Sequence, residues 1–385
     1  MKYKLIIGTL CIPLLALGVV TQLYLLMPVS TNLLQFIKHA TTNNIGLLTT
    51  LFGFFYAVGL IIWGSLSDRI GKDLTLIIGL LLLACVSFIV PLLHNYYLLL
   101  FARAVQGFCA ASFPPVALAW VSINLPDSSK PKAISLISCA FLLAATIGQW
   151  LGSLLISNSL YYAMWFLTGI YACGATIFYF YYLKNKQNYQ VTPSATLLSI
   201  CCKIPNILTN RKLLPVYLCS LFVLLSFVSL YSVLHRSALI VYVPTLRNIS
   251  IIAMLFSLTS SYLFKVIKPA YVLAIALCLM AFSLFIHTFF LTDRLNTLVI
   301  LYFCHFMLII GLAYAVPSMI VCIATQSEIK DRGIATSLYT CILFIGASLG
   351  ALLPTFITPP ILITSLSILL MVCAIQLILN LKAHH

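Results

Sequence analysis

Long apolar stretches separated by short polar ones follow one another along the whole 385-residue chain. Runs of about 18 or more predominantly apolar residues are typical of helices that cross a membrane. The pattern therefore predicts an all-α integral membrane protein with twelve transmembrane helices. Its least regular part is 213–264, where His235, Arg236 and Arg247 interrupt the apolar residues. We place the spans at 5–27, 45–65, 74–93, 96–122, 133–156, 161–183, 213–233, 248–264, 270–291, 296–322, 333–357 and 361–381.

The composition excludes a soluble protein and gives no sign of an enzyme. Hydrophobic residues make up 63% of the chain and charged residues only 7%, and no polar segment exceeds roughly 30 residues, too few for a core of its own. The sequence has no phosphate-binding glycine loop with lysine, no G-x-S-x-G motif and no spaced set of zinc ligands. Nearly all of the 13 cysteines fall within spans. We therefore expect no enzyme activity, cofactor, disulfide or metal.

The basic residues are distributed unequally between the two predicted sides of the membrane. With an even number of spans both termini lie on one side, and that side carries 16 of the 21 Lys and Arg residues. The other side carries four, and Arg103 alone lies within a span. Because Lys and Arg accumulate in cytoplasmic loops, we expect both termini in the cytoplasm and a bacterial cytoplasmic membrane location. The net charge of +15 is then a topology signal, and no nucleic-acid partner is expected.

The chain divides into two similar halves. The longest polar stretch predicts a central cytoplasmic loop at 184–212, between six-helix halves at 1–183 and 213–385. Two such halves related by a pseudo-two-fold repeat are typical of secondary transporters, whose substrates bind near the bilayer midplane. A shift of 202 positions aligns identical residues without a gap, namely Pro115 with Pro317, Ser135 with Ser337, Leu136 with Leu338, Cys139 with Cys341, Ala145 with Ala347 and Gly148 with Gly350.

A charged turn, "WGSLSDRIGKD" at 63–73, interrupts the apolar sequence between the second and third spans. It contains two of the chain's six acidic residues. One interpretation is a conformational gate, in which Arg69 and Lys72 pair with acids such as Asp127 and hold the cytoplasmic side closed. The other is a solvated turn whose basic residues only set the topology. The candidate gate residues are Gly64, Asp68, Arg69, Gly71, Lys72 and Asp127.

The same turn resembles the loop motif G-x-L-x-D-R-x-G-R-K of the major facilitator superfamily. Gly64, Leu66, Asp68, Arg69 and Gly71 match it, Lys72 stands for the second arginine, and Asp73 departs from the final base. "RAVQG" at 103–107 is similar to the R-x-x-x-G pattern of the family's fourth helix. The resemblance implies a transporter that works by alternating access. In layout the chain most resembles the bacterial arabinose and multidrug exporters, through "TQLYLLMP" in span one and "FVSLY" in span seven.

One departure from the sequence motifs of the family weakens the prediction of export. Antiporters of this family often carry a G-P-x-x-G-G motif in the fifth helix, where this chain has "GQWLGS" at 148–153. Gln149 occupies the proline position and Ser153 the last glycine. Gly148 and Gly152 keep the small-xxx-small spacing, which favours close helix packing.

Proton coupling needs a titratable group inside the membrane, and no carboxylate lies in the interior of a predicted span. Many exporters of the family have an acid in the first helix, where Gln22 stands here. Histidine titrates near neutral pH and can carry a proton. The candidates are His305, His287 and His235.

Arg103 and His305 lie 202 positions apart, each about two turns from the predicted outer face. An ionisable group at that depth is costly in lipid and is expected to face the protein interior. One interpretation is that Arg103 binds a substrate carboxylate or adjusts a proton step on His305. The other is that Arg103 braces spans one and four through backbone carbonyls and that His305 is a packed histidine. The further candidates for the substrate and proton pathway are Gln22, Tyr24, Gln106, Gln149 and Tyr231.

The sequence thus predicts proton-coupled export of a small organic molecule, such as a drug, a metabolite or a siderophore-like compound. Uptake of a small solute on the same fold is an open alternative, and a non-transporting receptor or assembly partner is another. The expected partners are a small-molecule substrate, protons and the lipid bilayer, with the chain as a monomer. An arginine without an intramembrane acid favours anionic or neutral substrates over cations.

Overall fold

The computed structural model describes residues 2–26, 37–41, 44–126, 128–156, 160–185, 197–292, 297–328 and 331–383. Within these residues twelve helical segments are long and apolar enough to cross a membrane, as the hydrophobic pattern predicts. We number them spans 1 to 12: Tyr3–Tyr24, Leu47–Gly64, Lys72–Leu92, Tyr96–Asn124, Lys132–Leu154, Leu160–Lys184, Leu214–Leu234, Ala238–Leu263, Pro269–Leu291, Leu298–Gln326, Ile334–Thr355 and Pro359–Asn380.

Within the described residues six spans are single α-helices and six are composite. Spans 3 and 11 end in 3₁₀ turns, and span 5 ends in a π-helical turn that begins at Gly152. Span 1 contains a π-helical turn, Ile7–Cys11, and span 4 is broken just before Pro114. Span 8 combines two α-helices with two 3₁₀ turns. The α-helices are Lys2–Ile6, Ile12–Tyr24, Leu47–Ile70, Lys72–Ile89, Tyr96–Ala110, Pro114–Asn124, Lys130–Leu151, Leu160–Asn185, Leu197–Leu208, Leu214–Leu234, Val243–Met254, Ser260–Leu263, Pro269–Leu291, Leu298–Gln326, Arg332–Leu352 and Pro359–Ala383.

The predicted start of span 8 is wrong. The span begins at Ala238 and not at 248. Its first turn is a 3₁₀ segment, Ala238–Tyr242, capped by the Ser237 hydroxyl, which accepts the Leu239 N–H at 3.3 Å. Arg247 does not end the span, because its side chain is only 6% exposed and therefore lies inside the protein. A charge that faces the protein interior is compatible with a spanning helix.

The chain forms two compact units, Met1–Ile204 and Pro205–His385. In the first unit span 1 packs on span 5, span 2 on span 4 and span 3 on span 6. In the second unit span 7 packs on span 11, span 8 on span 10 and span 9 on span 12. Each pair of the first unit thus has its counterpart six spans later. The short helix Leu197–Leu208 lies in the segment predicted as the central loop.

Two glycines mark equivalent close contacts in the two units. A Cβ atom added to Gly148 of span 5 would lie 2.8 Å from the Thr21 carbonyl oxygen of span 1. A Cβ atom added to Gly350 of span 11 would lie 2.7 Å from the Leu225 carbonyl oxygen of span 7. Real Cβ atoms do not approach oxygen this closely. The close packing predicted for Gly148 is confirmed, and only glycine fits where these backbones touch.

Replacement of Gly350 by alanine should therefore destabilise the protein. The methyl group would press on a backbone carbonyl that cannot rotate away, and overpacking of this kind typically costs about 1–3 kcal/mol. Gly169 is the matched control, because a Cβ atom there has nothing within 4 Å. We expect Gly350→Ala to lower the apparent melting temperature in detergent and Gly169→Ala to leave it unchanged or slightly raised. Equal melting temperatures for the two variants would contradict the contact.

Candidate functional site

The charged turn joins spans 2 and 3 through Gly71. This glycine has φ 94° and ψ 149°, a backbone conformation that other residues rarely adopt. The Lys72 ammonium donates to the Ser67 hydroxyl at 3.1 Å, and that hydroxyl donates to the Gly64 carbonyl at 2.7 Å. Arg69 is exposed.

The acids of the predicted gate lie outside the described residues. This holds for the whole of Asp127 and for the side chain of Asp68. The geometry of the turn is therefore established for Gly64, Ser67, Gly71 and Lys72 only. The gate itself stays a prediction.

Asp73, the residue that departs from the loop motif, is held in a buried hydrogen bond that sequence reasoning missed. Its side chain is 5% exposed, and Oδ1 accepts the Trp120 indole N–H at 2.6 Å. Trp120 is itself fully buried and makes edge contacts with the rings of Phe178 and Tyr181. The Tyr181 hydroxyl donates to Asn124 Oδ1 at 3.1 Å. Asp73 thus ties span 3 to spans 4 and 6.

Arg103 is completely buried, and its guanidinium group connects spans 1, 2 and 4. Nη2 donates to the Gln22 carbonyl at 3.1 Å and Nε to the Leu48 carbonyl at 3.4 Å. Nη1 donates to Gln106 Oε1 at 2.6 Å, one helical turn away in the same span. The group also lies over the Phe52 ring, 4.3 Å from its centroid, where a cation is attracted by the π face.

A second layer of hydrogen bonds holds Gln106 in place. Its Nε2 donates to the Ser87 hydroxyl of span 3 at 2.7 Å, and Gln22 Nε2 donates to the same hydroxyl at 3.2 Å. Arg103, Gln106, Gln22 and Ser87 therefore form one buried network across spans 1, 3 and 4, which we call the arginine cluster. These contacts are the ones expected if Arg103 braces the spans. The binding of a substrate carboxylate by Arg103 stays a prediction.

His305 occupies the corresponding place in the second unit. Its Nε2 lies 2.9 Å from the Ser250 hydroxyl of span 8 and 3.1 Å from the Tyr231 hydroxyl of span 7. The two hydroxyls are 2.8 Å apart. The ring of His287 in span 9 lies 5.8 Å from the His305 ring between centroids. We call Tyr231, Ser250, His287 and His305 the histidine cluster, and all four are buried.

The two clusters are related by the repeat. Arg103 and His305 are 202 positions apart, and so are their partners Leu48 and Ser250. Spans 1, 3 and 4 contribute to the arginine cluster, span 2 adds the Leu48 carbonyl to it, and spans 7 to 10 contribute to the histidine cluster. The chemistry differs, because the first centre is a fixed cation and the second is a group that can be neutral or charged.

The remaining candidates lie elsewhere. Gln149 is fully buried in span 5, one residue after the contact glycine Gly148, and Tyr24 packs beside that glycine. His235 lies just after span 7, outside the histidine cluster. Burial, followed by the positive charge of Arg247, lowers the pKa of His235 to about 4. His235 therefore stays neutral over the range in which an ordinary histidine titrates.

Replacement of Arg103 by lysine should destabilise the protein despite the conserved charge. A guanidinium donates in several fixed directions, whereas an ammonium cannot reach the Gln22 carbonyl, the Leu48 carbonyl and Gln106 together. Loss of one charged hydrogen bond typically costs about 1.5–3 kcal/mol. The control is Arg211→Lys at an exposed position. We expect a lower apparent melting temperature only for Arg103→Lys, and equal values for both variants would exclude bracing by Arg103.

Replacement of Trp120 by phenylalanine should also be destabilising. The ring volume is largely kept, but the Asp73 carboxylate loses a buried donor, at a cost of about 1.5–3 kcal/mol. Trp150→Phe serves as the control, because Trp150 is 45% exposed. The two melting temperatures should differ by several degrees. If they coincide, the indole hydrogen bond contributes nothing to stability.

Comparisons with known proteins agree with this architecture. An uncharacterised transporter of Buchnera aphidicola is 26% identical over 144 residues, 37% of this chain and 36% of that protein. Vacuolar basic amino acid transporter 5 of Saccharomyces cerevisiae is 30% identical over 107 residues, 28% of this chain and 18% of that protein. The chain thus spans about a third or less of the length of these two relatives.

A solved structure and a family model match more of this chain than the two relatives do. The structure of the human organic anion transporter MFSD10 (TETRAN) superimposes with a TM-score of 0.74 at 15% identity, over 97% of this chain and 99% of that one. The family model of the Major Facilitator Superfamily matches residues 14–250, more than half of the chain. The chain therefore belongs to the Major Facilitator Superfamily.

Proposed function

We propose that this membrane transporter exports a small organic molecule in exchange for protons, by alternating access. The observation that carries the proposal is the buried position of His305 among two hydroxyls and a second histidine. An intramembrane ionisable group is expensive, and in transporters such groups mark ion pathways. The histidine cluster is therefore the proposed proton carrier of the second unit.

The substrate class follows from the charges of the interior. Arg103 and Arg247 are buried cations, and the six acids of the sequence lie at span ends or in loops. Cationic substrates would be repelled by these buried positive charges, so neutral and anionic compounds are the proposed substrates. The basic amino acids named for the yeast relative are the opposite class and serve as the discriminating comparison.

Uptake is a second candidate, and one feature of the charges favours it. A proton on His305 adds positive charge, and an anion is attracted to positive charge. Proton and anion would then bind together and travel in one direction. A neutral substrate lacks this attraction and is compatible with exchange. The direction of transport and the charge of the substrate are therefore linked in this protein.

Transport in inverted membrane vesicles tests the proposal, because inversion turns export into accumulation. The panel contains neutral dyes, organic acids, siderophore-like chelates and basic amino acids, and the reference is vesicles without the protein. With the vesicle interior more acidic than the medium, we expect accumulation of a neutral compound that stops when a protonophore collapses the gradient. Accumulation only in right-side-out vesicles would contradict export, and accumulation that ignores the gradient would contradict proton coupling. Preferred transport of basic amino acids would contradict the substrate class.

A further inference from the structure

His287 and His305 form a pair of adjacent imidazoles contributed by neighbouring spans. Their ring centroids are 5.8 Å apart, and the ring planes are inclined by 63°. His287 is 1% exposed and His305 is fully buried. One nitrogen of each ring, Nε2 of His287 and Nδ1 of His305, has no hydrogen-bond partner in the part of the chain that the structure describes. Unpaired buried nitrogens are uncommon in proteins, and here two of them occur in rings that touch.

The positions of the protons can be assigned on His287. Its Nδ1 lies 2.7 Å from the Ser283 carbonyl oxygen. A carbonyl only accepts, so Nδ1 carries a hydrogen. In the neutral ring Nε2 then carries the lone pair. His287 therefore presents a base whose other nitrogen is already anchored, which fixes the tautomer.

The hydroxyls beside His305 serve either of its tautomers. The Ser250 hydroxyl can donate to the Leu246 carbonyl at 2.9 Å and accept from His305 Nε2, or donate to that nitrogen. The Tyr231 hydroxyl has the same two roles toward His305. Nδ1 of His305 can thus be a donor or an acceptor without the loss of a partner at Nε2. This freedom is what a group needs if it shares a proton with a neighbour.

We propose that His287 and His305 act as a single proton-binding site that takes one proton for the two rings. A proton from water adds to the lone pair of His287 Nε2 or His305 Nδ1, which yields one imidazolium beside one imidazole. The Nδ1–H bond to Ser283 stays in place in both states. Release of the proton to water restores two neutral rings, and no other bond is made or broken.

Electrostatics limits the pair to one proton. Two positive charges at this separation repel each other strongly in a medium of low dielectric constant. Arg247 of span 8 adds to the repulsion, because it interacts electrostatically with Tyr231 and with His235 at the end of span 7. Span 12 presents the Thr364 hydroxyl beside Thr288, next to His287, and this group does not titrate. Spans 7 to 12 contain no Asp or Glu that could balance a second charge.

Proton uptake by the pair can be measured on the full chain without any substrate. The probe is the proton itself, followed by ¹⁵N spectroscopy of histidine-labelled protein in lipid nanodiscs between about pH 5 and pH 8. The signals are assigned with His287→Gln and His305→Gln. We expect both rings to respond with one common midpoint and to take up one proton together. Independent titration of the two rings, or no response of either ring, would overturn the shared site.

A variant provides the second readout. In His305→Gln the remaining His287 should titrate with a midpoint that differs from that of the pair, and a cooperative thermal unfolding transition reports that the variant is folded. An unchanged His287 midpoint in a folded variant refutes sharing. If the variant does not fold, the proton count of the unaltered protein still decides the question.

The role of the pair in transport rests on the proposed function and is tested separately. With the substrate found in the vesicle assay, His287→Gln should reduce gradient-driven accumulation by about ten-fold or more, and the exposed control His94→Gln should leave it within about two-fold. If His287→Gln retains full coupling, the pair does not carry the coupling proton, although proton-coupled export stands. If no gradient drives transport in the unaltered protein, the proposed function fails together with the coupling role, even where the pair titrates as one base.

Discussion

The structure depends on one constraint, which is that a polar group placed in hydrocarbon must find its partners inside the protein. Arg103 shows how the constraint is met where the described residues supply no acidic partner. Two backbone carbonyls, an amide oxygen and an aromatic face surround its guanidinium group. Each of these carries only a partial negative charge, and each comes from a rigid helix. The cation therefore fixes the positions of spans 1, 2 and 4 relative to one another.

The second unit meets the same constraint with neutral groups, and it does so incompletely. Tyr231, Ser250 and His305 form hydrogen bonds with one another, while one nitrogen of His287 and one of His305 have no partner among the described residues. The equivalent places in the two units thus hold different groups, an arginine in the first unit and two adjacent histidines in the second.

The sequence was a good guide to the spans and a poor guide to the contacts between them. Span number follows from hydropathy, because lipid tolerates long apolar helices and little else. Span 8 was misplaced because Arg247 breaks the pattern while facing the interior, and burial cannot be read from a single residue type. The 202-residue shift did indicate that Arg103 and His305 occupy equivalent sites.

The partners of these residues were harder to foresee. In the sequence, Asp73 is only a departure from the loop motif. An acid so close to a span needs a hydrogen-bond donor, however, and the indole N–H of Trp120 is a donor that the sequence offers. The adjacency of His287 and His305 could not be predicted, because it depends on the relative rotation of spans 9 and 10. Helix rotation is set by side-chain packing and not by the pattern of apolar residues alone.

The glycine contacts at Gly148 and Gly350 have a mechanical consequence. At these two positions even a Cβ atom would come too close to a carbonyl oxygen of the facing span, so no side chain is present that could change rotamer and absorb a displacement. Spans 1 and 5, and likewise spans 7 and 11, are then locked against sliding along each other. When the first unit changes shape, the π-helical turns Ile7–Cys11 of span 1 and Gly152–Ile156 of span 5 should deform most. Wide turns of this kind deform more easily than regular helix.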